Sequence, residues 1–419
     1  MTIAQEIERH YKHNFTVNVL DGASFWLGYS FITPTTILPL YVSHLTHNPF
    51  LIGLIPMLSG ACYLLPQLFT SNWVQRSPLK KVFPVKYGFF AERLPVFLMA
   101  PTTLLLAVRS PGLALVIFFL LFAWHAAGAG LIAVGWQDMV AKIIPANRRG
   151  LFFGLTQFGG MFTGVIGASG VAIALNRYPF PLGYALSFGA ASLFILISWF
   201  FIAATREPPL YSQKEAVSQW QYLRSLPAIM RRDLNFQRYL TSQVVGAFGG
   251  MGIGFLTVYA VTHWQLPDSQ GGNYTAAMMI GQAFANLLFG PLADRKGYKL
   301  VMEISIALGV LSFVIATFAP NPLWFYAVFA LRGAANGGGM MSGVMIALEF
   351  SAPEMRPTYI GLSNTIYGIA AAIAPLAGSW LAETTGYGWL FGLSAASALA
   401  GLTLLHWLVR EPRLVEKRW

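Results

Sequence analysis

Long apolar runs recur from one end of this 419-residue chain to the other, separated only by short polar breaks. Each is about 20 residues or more, the length a helix needs to cross a hydrocarbon core of roughly 30 Å. No water-soluble core could hide them all. Hydrophobic residues make up 56% of the chain and charged residues 10%, where a soluble domain carries about 25% charge. The mean hydropathy of +0.57 says the same. The expected fold class is therefore an all-α membrane protein.

Reading apolar runs between polar breaks predicts twelve spans. They cover 15–42, 50–75, 82–108, 112–141, 150–175, 182–204, 239–262, 273–293, 300–319, 323–350, 357–382 and 388–409. The one long polar stretch, 205–238, divides an N-terminal region 1–204 from a C-terminal region 239–419 and reads as a linker. Within it Trp220, Tyr222, Leu223, Leu226 and Ile229 suit an interfacial amphipathic helix. With an even number of spans both termini share one side. That side holds most of the 27 Lys and Arg residues, among them Arg148, Arg149, Arg231, Arg232, Lys417 and Arg418, against Arg109 and Arg177 opposite. The positive-inside rule puts the termini and the linker in the cytoplasm, with the chain integral to the cytoplasmic membrane. The formal charge of +11 then lies at membrane edges, facing anionic headgroups rather than nucleic acid. The single Cys62 allows no intrachain disulfide, and the polar stretch from Met1 to Asn14 lacks the pattern of a cleaved signal peptide.

Between the eighth and ninth spans residues 290–299 read Gly-Pro-Leu-Ala-Asp-Arg-Lys-Gly-Tyr-Lys, with Gly290 and Gly297 placed to allow a tight reversal. This decapeptide resembles the signature loop of the major facilitator superfamily of secondary transporters. The resemblance implies twelve helices in two pseudo-symmetric six-helix bundles. A repeat agrees with it: residues 72–81 align under 290–299, and Pro145, Arg148 and Gly154 under Pro353, Arg356 and Gly361 or Leu362. The N-terminal copy keeps its last lysine but has lost the glycine and the aspartate. By resemblance, Gly290, Asp294, Arg295, Gly297, Lys299, Glu349 and Arg356 form a conformational latch. Asp294 would approach a helix N-terminus in the other half, Arg295 would pair with Glu349, and the latch would open as the halves rock.

No catalytic constellation, Walker loop or metal-ligand spacing is present, so neither an enzyme nor a cofactor is expected. The glycine clusters 246–254 and 333–343 sit inside apolar runs, where they serve helix contact. Ionisable residues within the spans are the informative ones, because a charge near a helix centre costs at least about 2.5 kcal/mol. Glu92 and Arg93 lie about 15 Å into the third span. Being adjacent, they diverge by about 100° and need not pair with each other. Glu92 reads either as a proton-binding carboxylate tuned by Arg93 or as half of a structural ion pair. Asp21, about two turns into the first span, reads as a second proton carrier, since some drug–proton antiporters resemble this chain in placing an acid there. The alternative is a solvated or capping acid. Arg332 and Asn336, four apart, share a face of the tenth span. Arg332 aligns in the repeat with Trp124, beside His125, and snorkelling to the outer interface is its alternative role. His125 reads more readily as a packing histidine than as a proton relay. Trp26, Tyr29, Trp124, His125, Gln157, Arg332, Asn336, Met340 and Asn364 are the expected substrate-cavity residues. Aromatic and methionine-rich walls suit an amphipathic cargo.

The expected function is secondary active transport by a monomer: proton-coupled export of small amphipathic or drug-like molecules. The alternatives are proton-symport uptake of a sugar or organic acid, and a non-transporting scaffold or sensor on the same fold.

Overall fold

The structure is a computed structural model that describes residues 3–145, 148–210, 233–350 and 356–412. The expected amphipathic helix around 220–229 lies outside the described residues, as do Arg231, Arg232, Pro353, Lys417 and Arg418. Every regular element among the described residues is helical. In order these are α1 (Ile3–Tyr29), α2 (Ile37–Leu45), α3 (Pro49–Arg76), α4 (Leu94–Leu106), α5 (Pro111–Ile143), α6 (Arg149–Arg177) and α7 (Leu182–Ala203). Then follow α8 (Leu234–Ala247), α9 (Leu256–His263), α10 (Ser269–Lys296), α11 (Tyr298–Phe318), α12 (Trp324–Glu349), α13 (Arg356–Thr384) and α14 (Tyr387–Leu408).

Ten helical stretches among the described residues are long and apolar enough to cross a membrane. The other two expected spans are helices of sufficient length but lower hydropathy. Asn14, Asn18 and Asp21 interrupt α1, and Arg332, Asn336 and a glycine run dilute α12. Large apolar side chains point outward along the spans, with Leu120, Phe158 and Ile173 each about two-thirds exposed (65%, 67% and 66%). A water-soluble protein rarely shows such a surface, whereas lipid favours it.

Three spans depart from the continuous helices the apolar runs predict. The first breaks after Tyr29: residues 30–32 tighten into a 3-10 turn, and Thr33 turns extended (ψ 122°) ahead of Pro34. A residue before proline is driven out of the helical region by its ring, so the break is local chemistry. The third span begins as two π-helical turns, Phe83–Tyr87 and Phe89–Arg93, in which the Gly88 and Leu94 amides reach carbonyls five residues back. Pro84 and Pro95 lack the N–H groups that a regular ladder would use there. The seventh span is α8 and α9 joined by 3-10 turns over a glycine-rich stretch, 248–255.

The chain forms two compact units. The first comprises Met1–His47, Leu58–Ala216 and Pro267–Ala276; the second comprises Asn48–Met57, Val217–Leu266 and Ala277–Trp419. In the first, α1 packs on α6 and α7, and α4 packs on α5 and α7. In the second, α8 packs on α13 and α14, and α11 packs on α12 and α14. These four contacts correspond one for one under the sequence repeat. Small residues set the closest approaches. A Cβ on Gly249 would sit 2.6 Å from that of Ala398, and one on Gly333 would collide with the Met278 carbonyl.

Residues 290–299 are not a loop. α10 runs through Gly290 and Pro291 to Lys296, and α11 starts at Tyr298. Only Gly297 makes the reversal, at φ +97°, a conformation costly for any residue with a Cβ. Gly290 therefore has no turn role.

The corresponding N-terminal corner holds an acid that the repeat alignment misses. Glu207, just after α7, has a fully buried side chain; its two oxygens accept the Lys80 and Lys81 amides at 2.9 and 2.8 Å. Lys142 donates to the same carboxylate at 2.8 Å and also to the Pro78 carbonyl at 3.0 Å. Lys80 reaches Asp138 at 3.3 Å. The aspartate lost from residues 72–81 is thus replaced, as a charge, by one from the stretch read as linker.

Candidate functional site

In the first unit the polar interior gathers around α1, α5, α7 and the π-helical turns. Asp21 is 6% exposed. The Ser198 hydroxyl donates to its Oδ1 at 2.6 Å, and the Trp136 indole is a further donor. No Lys or Arg pairs with Asp21 among the described residues. It is neither solvated nor a helix cap, since α1 continues for eight residues past it. Glu92 and Arg93, 3% and 7% exposed, pair directly with each other. The divergence expected of neighbours on a regular helix is overridden by the widened turn they occupy. Arg93 Nε is left without a partner. His125 bonds the Glu92 carbonyl through Nδ1 at 2.9 Å. A carbonyl only accepts, so Nδ1 carries the proton and the ring ties α5 to the third span.

The expected cavity residues of this unit fall into two groups. Trp26 and Tyr29 meet edge to face at 5.6 Å, with Phe25 stacked on Tyr29 at 5.9 Å. Gly160 of α6 lies under the Trp26 ring, and Gln157, one turn earlier, is half-buried. Trp124 is 43% exposed, whereas His125 beside it is buried, so these two neighbours serve different surroundings.

In the second unit Arg332 does not snorkel. Its guanidinium lies over the buried Phe313 ring of α11, 5.3 Å from the centroid, with Nη1 against Gly309. One turn along the same face, Asn336 Nδ2 donates to Gln282 Oε1 of α10 at 3.2 Å. Met340, a further turn on, is 57% exposed, and Asn364 of α13 is half-buried. Gln282 is 4% exposed; its Nε2 has no partner, nor has Nδ2 of Asn286 one turn away. Sequence reasoning missed Gln282, Asn286, Ser198 and Trp136. Two amides four apart in an apolar span were a visible signal. Ser198 and Trp136 carried none, because each matters only through the helix it faces.

At the α10–α11 corner Asp294 and Arg295 are exposed. Lys299 pairs with Glu303 at 3.3 Å and bonds the His406 carbonyl at 3.1 Å. Arg295 makes no ion pair among the described residues, so the expected Arg295–Glu349 bridge is not formed. The side chain of Arg356 lies outside the described residues. Among them no group of His, Cys, Asp and Glu could hold a metal ion.

The fold is shared along nearly the whole chain with solved transporters. It overlays a mutant of the nucleoside transporter NupG with a TM-score of 0.74 at 14% identity, covering 95% of this chain and 100% of that one. It overlays the Escherichia coli xylose transporter XylE with a TM-score of 0.66, also at 14% identity, covering 96% and 98%. Residues 239–418 match the family model of the Major Facilitator Superfamily. That match lies in the C-terminal region, while the likeness in fold extends along nearly the whole chain. Among curated proteins it is 29% identical to a rat synaptic vesicle 2-related protein over 152 residues, 36% of this chain and 27% of that protein. It is 28% identical to a Pseudomonas putida gallate transporter over 159 residues, 38% and 35% of the two chains. A niacin transporter of Acinetobacter baylyi is 26% identical over 154 residues, 37% and 34% of the two chains. These alignments span about a quarter to a third of the curated relatives. The ten long apolar helices and the transporter-like fold are those of a multi-pass membrane protein.

Proposed function

We propose that this protein is a secondary transporter that couples the movement of a small amphipathic molecule to a proton, with Asp21 as the proton carrier. One observation carries the reading: a buried carboxylate held by a neutral hydroxyl and no cation. Such a group can gain or lose a proton without breaking an ion pair. Glu92 has Arg93 as a partner, so its charge is already balanced. With both carboxylates ionised the three residues sum to one negative charge, and a single proton brings them to neutrality. A low-dielectric interior favours that sum being small. Glu92 and Arg93 then serve to fix the third span and set the field around Asp21, while His125 holds their helix in place.

In the first unit the aromatic cluster of Phe25, Trp26 and Tyr29, and the exposed Trp124, support an amphipathic cargo. The gallate and niacin for which two relatives are named, both small aromatic acids, fit the same class. The fold supports alternating access, in which the turn at Gly297 with Asp294, Arg295 and Lys299 acts as the conformational latch. The distribution of Lys and Arg supports insertion in the cytoplasmic membrane with both termini inside.

Purified protein in sealed vesicles tests the coupling. Asp21→Asn should abolish uphill movement driven by a proton gradient while leaving cargo exchange at equilibrium intact. Uphill movement that survives the substitution would sink the assignment. Direction is read in the same vesicles: efflux that stops when the gradient is dissipated marks export, and accumulation down an inward gradient marks symport.

A further inference from the structure

The contact between α1 and α7 is apolar on one side of Asp21 and polar on the other. Toward Tyr29 and beyond, Gly28 sits against Ile195 and Phe31 stacks on Phe194 at 6.1 Å. Toward the N-terminus three polar pairs follow one another, each about one turn of α1 apart. Ser198 donates to Asp21 at 2.6 Å, and Asn18 Nδ2 donates to the Thr205 hydroxyl at 3.0 Å. The Asn14 side chain then accepts from the Arg206 amide at 2.9 Å and donates to its carbonyl at 2.8 Å. Asn14, Asn18, Ser198 and Thr205 are buried, whereas Arg206 and its contact with His10 are exposed. Apolar contacts would hold two helices together at lower cost, because every buried polar group has to be satisfied.

One group in this seam is not satisfied. Asn18 Oδ1 is buried and has no partner. Turning the amide over would not cure this: Nδ2 also donates to the Asn14 carbonyl at 2.8 Å, and a carbonyl only accepts. A buried polar atom that lacks a protein partner is the usual seat of an ordered water. Thr205 gives such a water a neighbour, a hydroxyl that accepts from Asn18 and still has a proton to give. Asp21 lies three residues further along α1, about 4.5 Å of helix, a separation that one water bridges. The charged groups whose fields reach Asp21, Glu92 and Arg93, belong to the third span, and Trp136 of α5 is a donor. The seam residues between Asp21 and Arg206 carry no charge that would trap a proton in passage.

We propose that the α1–α7 seam is the proton route between Asp21 and the aqueous end marked by His10 and Arg206, with Asn18 positioning the water that relays the proton. The route rests on the reading of Asp21 as the proton carrier. A proton arriving from the Thr205 side joins this water, which passes one of its own protons to the Asp21 carboxylate and is left neutral. Release runs the same steps backward. Along this seam the contacts on the Tyr29 side offer no relay, so Asp21 exchanges protons through it with one end only, the end read above as cytoplasmic.

The test is a pH jump on the full-length protein in detergent, followed by the infrared absorption of the carboxylic acid. The band of Asp21 is the one that Asp21→Asn removes. Asn18→Leu, close in size and unable to hold the water, should slow the appearance of that band about a hundredfold, the low end of what a positioned proton-transfer group contributes. Its final amplitude should be unchanged. Thr205→Val, which removes the hydroxyl and keeps the shape, should also slow it, and Asn18→Ser, which restores an oxygen, should recover much of the rate. Wild-type rates in Asn18→Leu and Thr205→Val, or in Thr205→Val alone should Asn18→Leu not fold, would overturn the route and leave Asp21 as the carrier. Absence of any pH-dependent band that Asp21→Asn removes would overturn the carrier, and the route with it.

Discussion

Glu207→Ala is the perturbation whose cost the structure specifies most fully. The carboxylate is completely buried and accepts three hydrogen bonds, two from backbone amides and one from Lys142, itself 7% exposed. Truncation removes the anion and leaves a buried ammonium whose remaining acceptor is the Pro78 carbonyl. Breaking a buried pair in this way costs about 3–5 kcal/mol, mostly from the charge left behind. For a unit of this size each kcal/mol lowers the melting temperature by about 2–4 °C, so the drop should be of order 10 °C. The assay is thermal unfolding of the purified protein in detergent, followed by fluorescence. A double-mutant cycle with Lys142→Met separates the pair from the backbone bonds. Because Lys142→Met removes the stranded cation, the double variant should recover about 2 kcal/mol over the sum of the singles. A loss below about 1 kcal/mol for Glu207→Ala, or additive effects in the cycle, would refute the reasoning that this acid replaces the one missing from residues 72–81.

Two further outcomes follow from particular contacts. Gly333→Val should prevent stable folding, because its Cβ would collide with the Met278 carbonyl where α10 and α12 touch; a monodisperse, thermally stable variant would argue against that close approach. Asp294→Asn should shift a cross-linking or spectroscopic reporter toward the inward-open state if the corner after α10 is a latch, and an unmoved reporter would remove Asp294 from that role.

Much of the fold was legible in the residues because membrane insertion is a nearly one-dimensional problem. A span must be apolar and about 20 residues long, and both properties are read directly from sequence. The α10–α11 corner was recognisable for the same reason, although Gly290 proved helical and only Gly297 turns. Where the reading failed, the cause was local backbone geometry. The π-helical turns bring Glu92 and Arg93 together, and a periodicity of about 3.6 residues cannot foresee them. Arg332 looked free to snorkel because its distance from the outer end was countable, while the Phe313 ring beneath it belonged to another helix.

The candidate site shows the division most sharply. Sequence alone determined that Asp21, Glu92, Arg93 and Arg332 are the costly residues, since an ionisable side chain in an apolar run is conspicuous whatever surrounds it. Tertiary structure decided which of them are paired. Ser198 against Asp21, and Phe313 beneath Arg332, are contacts between different helices, and whether a buried charge is balanced depends on the neighbours that packing supplies.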